Sequence, residues 1–286
     1  MRQWMLLMAL LVFLAVPVTA DNGTAGQAAP VLRFGVGARS FAMGGAYGVI
    51  AGDDTATYWN PAGLAELKAP VISTMHSELF LGTTYDYLGG AVPLQYGGLG
   101  VSVLKLDTPG LVLTDGSIDD ASTMAALIGY GFQWAGWNLG ATIKYYEQNL
   151  PTSAGNGFGL DLGLQKQLTP NYRIGLTLQD LAGSEVNWDT GWTEAVPLNI
   201  RLGVSYTRER VLLVAEFEKA ETFRQNHFGF ELTATDFLKV RGGFRGNDFT
   251  AGIGLTKGQA TVDYAYCGGE LDNTHRLSFS YLFNKY

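Results

Sequence analysis

From about residue 121 onward, stretch after stretch of the chain places an apolar residue on every second position. Gly, Ser, Thr, Asn or a single charge fills the positions between. Residues 137–145 are typical: Trp137, Leu139, Ala141, Ile143 and Tyr145 fall on one face, Asn138, Gly140, Thr142 and Lys144 on the other. A period of two belongs to strands with one apolar face. The alternation predicts fourteen strands, near 69–80, 83–94, 98–107, 121–133, 136–148, 156–167, 171–182, 196–207, 210–219, 224–234, 236–245, 248–256, 259–267 and 274–286.

The connections between them carry a second pattern. After even strands they are tight, as at Gln95-Tyr96-Gly97, Thr169-Pro170, Arg208-Glu209, Thr235-Asp236 and Lys257-Gly258. After odd strands most are longer, at 108–120, 149–155, 183–195, 220–223 and 268–273, with short exceptions near 81–82 and 246–247. Barrels of the bacterial outer membrane alternate in this way, with the short turns in the periplasm.

The two faces fit lipid outside. The inferred outward positions of strands 4–8 and 10–14 carry no charge; examples are Leu198, Ile200, Leu202, Val204 and Tyr206, or Phe249, Ala251, Ile253 and Leu255. A Lys or Arg facing mid-bilayer costs ~2–4 kcal/mol. The opposite face holds Lys144, Asp161, Arg173, Arg201, Glu216, Glu218, Glu231, Lys239, Arg241, Arg245, Asp263 and Arg276. Mixed signs among glycines predict a wet, ion-paired lumen. Strands 1–3 alternate less cleanly, and Pro93 predicts a bulge or a strand end. A secreted soluble sandwich or propeller would alternate too, but it leaves the loop pattern and the scarcity of Lys and Glu unexplained.

Composition sharpens this reading. Charged residues are 16% of the chain, against ~25% in soluble domains. A net charge of −7 disfavours nucleic-acid binding. Cys267 is the single cysteine, so no intrachain disulfide can form. His76, His227 and His275 stand singly, without metal-ligand spacing. There is no G-x-S-x-G, H-E-x-x-H or Walker loop, and His227 and Glu231 lie too far apart along a strand to act together. No catalytic residue, cofactor or metal is expected, and the chain reads as a non-enzyme. At the start, Arg2, the apolar run Met5 to Val16 and Val18-Thr19-Ala20 form a secretory signal that predicts a mature chain from Asp21. No other apolar run is long enough for a membrane helix.

Residues 21–68 do not read as strands. Eight strands make a barrel that side chains fill, and sixteen to eighteen leave an aqueous channel. A fourteen-stranded lumen falls between, and a segment rich in small residues would stopper it. Gly44-Gly45 permits close backbone approach. Asp53 or Asp54 could cap a short helix toward Trp59, or pair with lumen cations such as Arg201, Lys239 or Arg241. Asn60 before Pro61 is pushed to an extended or turn conformation, and Gly63 can end the element. Phe41, Met43, Tyr58 and Trp59 argue against a disordered tail. The expected organisation is a signal peptide at 1–20, a plug at 21–68 and an all-β transmembrane antiparallel barrel of about fourteen strands at 69–286.

Two clusters, Gly37-Ala38-Arg39-Ser40 with Met43-Gly44-Gly45-Ala46, and Asp53-Asp54 with Trp59-Asn60-Pro61-Ala62-Gly63-Leu64, resemble the amino-terminal signature of the PorV/PorQ family. That family is related to the outer-membrane long-chain fatty-acid transporters, which have fourteen strands and an amino-terminal hatch containing Asn-Pro-Ala. The resemblance implies a hatch role for Asn60, Pro61 and Ala62. It also implies a binding or accessory role in type IX-like protein secretion or surface anchoring, with a translocon or secreted cargo as partner beside outer-membrane lipid. The alternative is a passive transporter of hydrophobic or amphipathic small molecules. Its gate would draw on Arg39, Met43, Gly44, Gly45, Asp53, Asp54, Trp59, Asn60, Pro61, Ala62 and Gly63. The chain is short for this superfamily, so no large external hydrophobic groove is expected. The terminal-aromatic assembly signal would be read at Phe283 or at Tyr286.

Overall fold

The computed structural model describes residues 28–113, 115–181, 183–220, 223–268 and 273–284. The expected signal peptide, the first residues of the front segment and Tyr286 lie outside these. The strands are β1 (Val71–Glu78), β2 (Thr84–Leu94), β3 (Gly97–Val112), β4 (Ile118–Trp134), β5 (Trp137–Leu150), β6 (Ser153–Gln167), β7 (Tyr172–Gln179), β8 (Glu185–Trp188), β9 (Thr193–Ala195), β10 (Asn199–Arg208), β11 (Val211–Lys219), β12 (Arg224–Thr233), β13 (Leu238–Arg245), β14 (Asp248–Lys257), β15 (Ala260–Cys267) and β16 (Thr274–Leu282). Fourteen of them, all but β8 and β9, form a closed antiparallel barrel. The seam lies between the first and last staves, in register from Val71↔Leu282 to Glu78↔His275.

Three departures from the alternation reading have local causes. The β7 strand stops at Gln179, short of the expected end near 182. Asp180 takes a φ of 56° and donates its N–H to Asp161 at 2.9 Å, which turns the chain out of register. Pairing along β6 then resumes through β8, from Phe158↔Glu185 to Gly155↔Trp188, so part of the expected loop 183–195 is a β8–β9 hairpin. The expected loop 108–120 is mostly strand as well: β3 and β4 pair out to Val112↔Ile118 after a register shift between Thr108 and Leu111. Finally, β1 alternates without a break. Its outward set, Ile72, Thr74, His76 and Glu78, grows more polar toward the long-loop end. There His76 pairs with Asp86, and Lys105 with Asp107, both at 2.7 Å. Pro93 sits one residue from the end of β2 without disturbing its register.

The exterior carries Leu88, Val101, Ile128, Ile143, Phe158, Leu202, Phe230, Ile253, Leu277 and Phe279, all exposed. No second sheet covers them, because the wall closes on itself. Only hydrocarbon can remove that surface from water. Residues 28–70 run inside the wall. They contain two short helices, α1 (Ala38–Ala42) and α2 (Ala56–Trp59), and 3-10 turns at Pro30–Leu32 and Pro61–Glu66.

The central outward position of β14 tests the belt. Ile253→Arg should cost ~2–4 kcal/mol of folding free energy in urea titrations into phospholipid vesicles. His76→Lys, near the long-loop rim, should cost less than ~1 kcal/mol in the same assay.

Candidate functional site: the interior segment and its seat

The interior segment fits because the wall lacks side chains where the backbones meet. Gly98, Gly131, Gly140 and Gly163 lie directly opposite one another across β3, β4, β5 and β6. All four face inward, and together they form a flat strip. The stretch Asn60–Leu64 rests on it so closely that a Cβ built on any of the four would collide with the segment. A second seat lies across the lumen, where Gly229 and Gly243 of β12 and β13 receive Met43 and Gly44. Between the two, Gly175 and Gly203 of β7 and β10 take Val49 at 3.0–3.3 Å from their would-be Cβ atoms. Within the segment, Gly63 packs against the Ala51 carbonyl with no room for a side chain.

Asn60 is extended, with φ −167°, and its Oδ1 accepts from the Ala62 N–H at 3.1 Å. Its amide reaches the Leu164 and Leu176 carbonyls at 3.4 and 3.3 Å. Pro61 follows at the first helical position, where its missing N–H costs nothing. Trp59 donates Nε1–H to the Val36 carbonyl at 2.9 Å and meets the Tyr58 ring edge-on, with centroids 5.0 Å apart. The two aspartates act differently from both sequence expectations. Asp53 accepts from Tyr47 and from the Thr55 N–H, at 2.8 and 3.1 Å, an Asx turn one residue before α2 rather than a cap on it. Asp54, 1% exposed, accepts from the Ser73 and Tyr87 hydroxyls of β1 and β2. Neither pairs with a lumen cation among the described residues.

The charged wall residues form separate clusters. Arg201 pairs with Glu216 and Glu218, donates to the Gly45 carbonyl at 2.7 Å and lies 4.9 Å over the Trp59 ring. Glu216 also accepts from the Gly48 N–H at 2.9 Å. Glu231 gathers Arg39 of α1 with Arg241 and Lys239 of β13, at 2.8, 2.7 and 3.6 Å, and Arg241 reaches Asp263 at 2.6 Å. Lys144 pairs with Asp161 and with Asp180, the residue that ends β7. Arg173 stands at the rim and holds Glu66 at 2.7 Å.

Several ties escape sequence reading. His227 donates to the Gly44 carbonyl at 2.7 Å and faces Glu218 through its other nitrogen. Arg276 donates to the Phe34 and Gly35 carbonyls at 2.7 and 2.6 Å and lies 3.6 Å over Phe41. Gln148, Gln165 and Gln179 bond the backbone of the segment at Ala29, Gly48 and Tyr58. The inward phase of the glycines was visible in the alternation. Their alignment across four strands needs the register.

The segment fills one part of the lumen and leaves a cavity in another. Toward the long loops, Val31, Leu32 and Tyr58 pack with Tyr85, Leu104, Leu106, Leu127, Tyr146, Val186 and Val196 as an apolar core. Toward the tight turns, a cavity of about 170 Å³ opens between α1 and the wall of β1 and β13–β16. Val36, Tyr47, Val71, Met75 and Tyr87 belong to both regions and form the layer between them. Burial pushes the Asp54 carboxyl in this layer up to about 6; the neighbouring Asp53 charge adds to the rise, and the two hydroxyl donors oppose it.

No family model and no curated protein matches the sequence. Solved structures do. The monoaromatic hydrocarbon channel CymD aligns at 13% identity over 91% of this chain and 100% of its own, with a TM-score of 0.67. The Pseudomonas putida toluene transporter TodX aligns at 13% identity over 86% and 96%, with a TM-score of 0.60. A Pseudomonas aeruginosa FadL homologue aligns at 12% over 94% and 99%, with a TM-score of 0.59. At such identities the likeness establishes a shared fold.

Two outcomes follow from the seat. Gly140→Val and Gly163→Val should leave a heat-modifiable barrel on gels but lift Asn60–Leu64 from the wall, read as new protease cleavage between residues 40 and 68. Asp54 gives a pH dependence. Its folded value of about 6 lies above the ~3.9 of a free aspartate, so the seated state holds a proton that the released segment gives up. Seating should therefore be firmest below ~4, weaken as pH rises to about 6 and stay constant above. Amide exchange across residues 53–60, corrected for intrinsic rates, should show that trend in the native chain and lose it in Asp54→Asn.

Proposed function

We propose that this chain is an outer-membrane barrel that passes small hydrophobic or amphipathic molecules, with residues 21–68 as its hatch and residues 69–286 as the wall. On this reading the tight-turn end faces the periplasm, and the leader at 1–20 is removed on export. The hatch residues are Arg39, Met43, Gly44, Gly45, Asp53, Asp54, Trp59, Asn60, Pro61, Ala62 and Gly63. The lumen charges Lys144, Asp161, Arg173, Arg201, Glu216, Glu231, Lys239, Arg241 and Asp263 line the wall around them.

The observation that carries this reading is an interior segment held in a glycine seat, with an apolar cluster on one side of it and a polar cavity on the other. The two meet along Val36, Tyr47, Val71, Met75 and Tyr87. A solute with apolar surface that displaced the segment would stay out of water against the same apolar side chains. The segment itself is held by hydrogen bonds and close packing that a small displacement would break. The fold is shared with proteins described as hydrocarbon channels and a toluene transporter, and this supports transport. The secretion-accessory expectation rests on the amino-terminal resemblance alone.

A reversible lock tests it. The Val49 Cβ lies 3.3 Å from the Cβ position of Gly175, close to the Cβ spacing of a disulfide, so Val49→Cys with Gly175→Cys, in a Cys267→Ala background, brings two thiols together between hatch and wall. With the bridge verified by mass spectrometry, oxidised protein should reduce uptake of a small aromatic probe to the level of cells without the barrel. Reduction should restore it. Equal uptake in both states would overturn the hatch reading.

A further inference from the structure

The cavity at the tight-turn end has a lining of unexpected chemistry for a hydrocarbon path. Ser73, Thr256, Thr261, Ser278 and Ser280 ring it with hydroxyl groups. The charged groups around it already have partners. Glu231 is shared by Arg39, Arg241 and Lys239, Asp263 is taken by Arg241, and Asp53 and Asp54 accept from the hydroxyls of Tyr47 and of Ser73 and Tyr87. An ionic solute would have to break those pairs. A bare hydrocarbon leaving the apolar side chains above would exchange them for a polar surface and gain nothing there.

A neutral solute with a hydroxyl group meets a different environment. Serine and threonine hydroxyls both donate and accept, and here they are presented from the wall in pairs. Thr256 and Thr261 lie 3.0 Å apart on neighbouring strands. Ser278 accepts from the Ala38 N–H at 2.8 Å. The volume of about 170 Å³ is comparable with the ~150 Å³ of a cavity known to hold benzene, so a single ring fits. Sites that hydrogen-bond a substrate hydroxyl discriminate strongly against the analogue lacking it.

We infer that this cavity is the exit leg of the route and favours small neutral amphipaths bearing a hydroxyl group over the corresponding hydrocarbons; this rests on the transport reading above. The hydroxyl wall of β14, β15 and β16 sets that preference, and the hatch sets whether anything passes.

The test compares phenol with toluene in porin-deficient Gram-negative cells. Cells express the native chain or the triple variant Thr256→Val, Thr261→Val, Ser280→Ala, and uptake by cells without either is subtracted. Heat-modifiable migration confirms that the variant is folded. The native chain should favour phenol by roughly tenfold, and the variant should lose most of that ratio. If both solutes enter above background with a ratio near one, or with a ratio unchanged in the variant, the hydroxyl preference is wrong while transport stands. If neither enters above background, the transport reading has failed and this inference falls with it.

Discussion

A backbone amide in hydrocarbon has no water to bond, so each must find a partner in the sheet. For this chain the obligation is met by closure, with β16 returning to β1 over eight opposed pairs. Everything else follows from the ring that closure creates. Fourteen staves enclose more space than their own inward side chains can occupy. The outward set, exemplified by Leu202, Ile253 and Phe279, is committed to the exterior. The interior must then be filled by another part of the chain, and the segment before β1 fills it.

Filling a cylinder with backbone imposes its own geometry. A bare main chain can approach a wall closely only where the wall has no side chains, and the strip from Gly98 to Gly163 supplies that surface. Close approach leaves polar groups on both sides to be satisfied. The amides of Gln148, Gln165 and Gln179, the guanidinium groups of Arg201 and Arg276 and the imidazole of His227 satisfy them. Each such bond contributes little net stability, but leaving a buried partner unsatisfied costs ~1–3 kcal/mol. Such contacts fix one position of the segment, and any displacement of it must find another arrangement for each.

The barrel was legible because a period of two survives in single-sequence view. Residues 137–145, 198–206 and 249–255 carried it with almost no interruption, and the tight turns located the ends. What failed depended on contacts between strands. Asp180 read as part of a strand running to 182, but its bonds to Lys144 and Asp161, far away in sequence, end the strand at Gln179. Asp53 and Asp54 looked like caps or cation partners. Their actual partners, Tyr47 for one and Ser73 and Tyr87 for the other, are hydroxyls with no sequence signal. The glycines were countable, but their alignment into a seat depends on register, which a one-residue slip would have destroyed.

The seam has a consequence for how the molecule holds together. The strand that completes the ring, β16, also carries Arg276 and Ser278, whose bonds grip Phe34, Gly35 and Ala38. The segment ahead of the wall is therefore clasped by the strand that closes the wall. Wherever β16 is out of place, Phe34, Gly35 and Ala38 lose these partners too. Closing the ring and fastening its contents are thus coupled, and a change that unseats the one loosens the other.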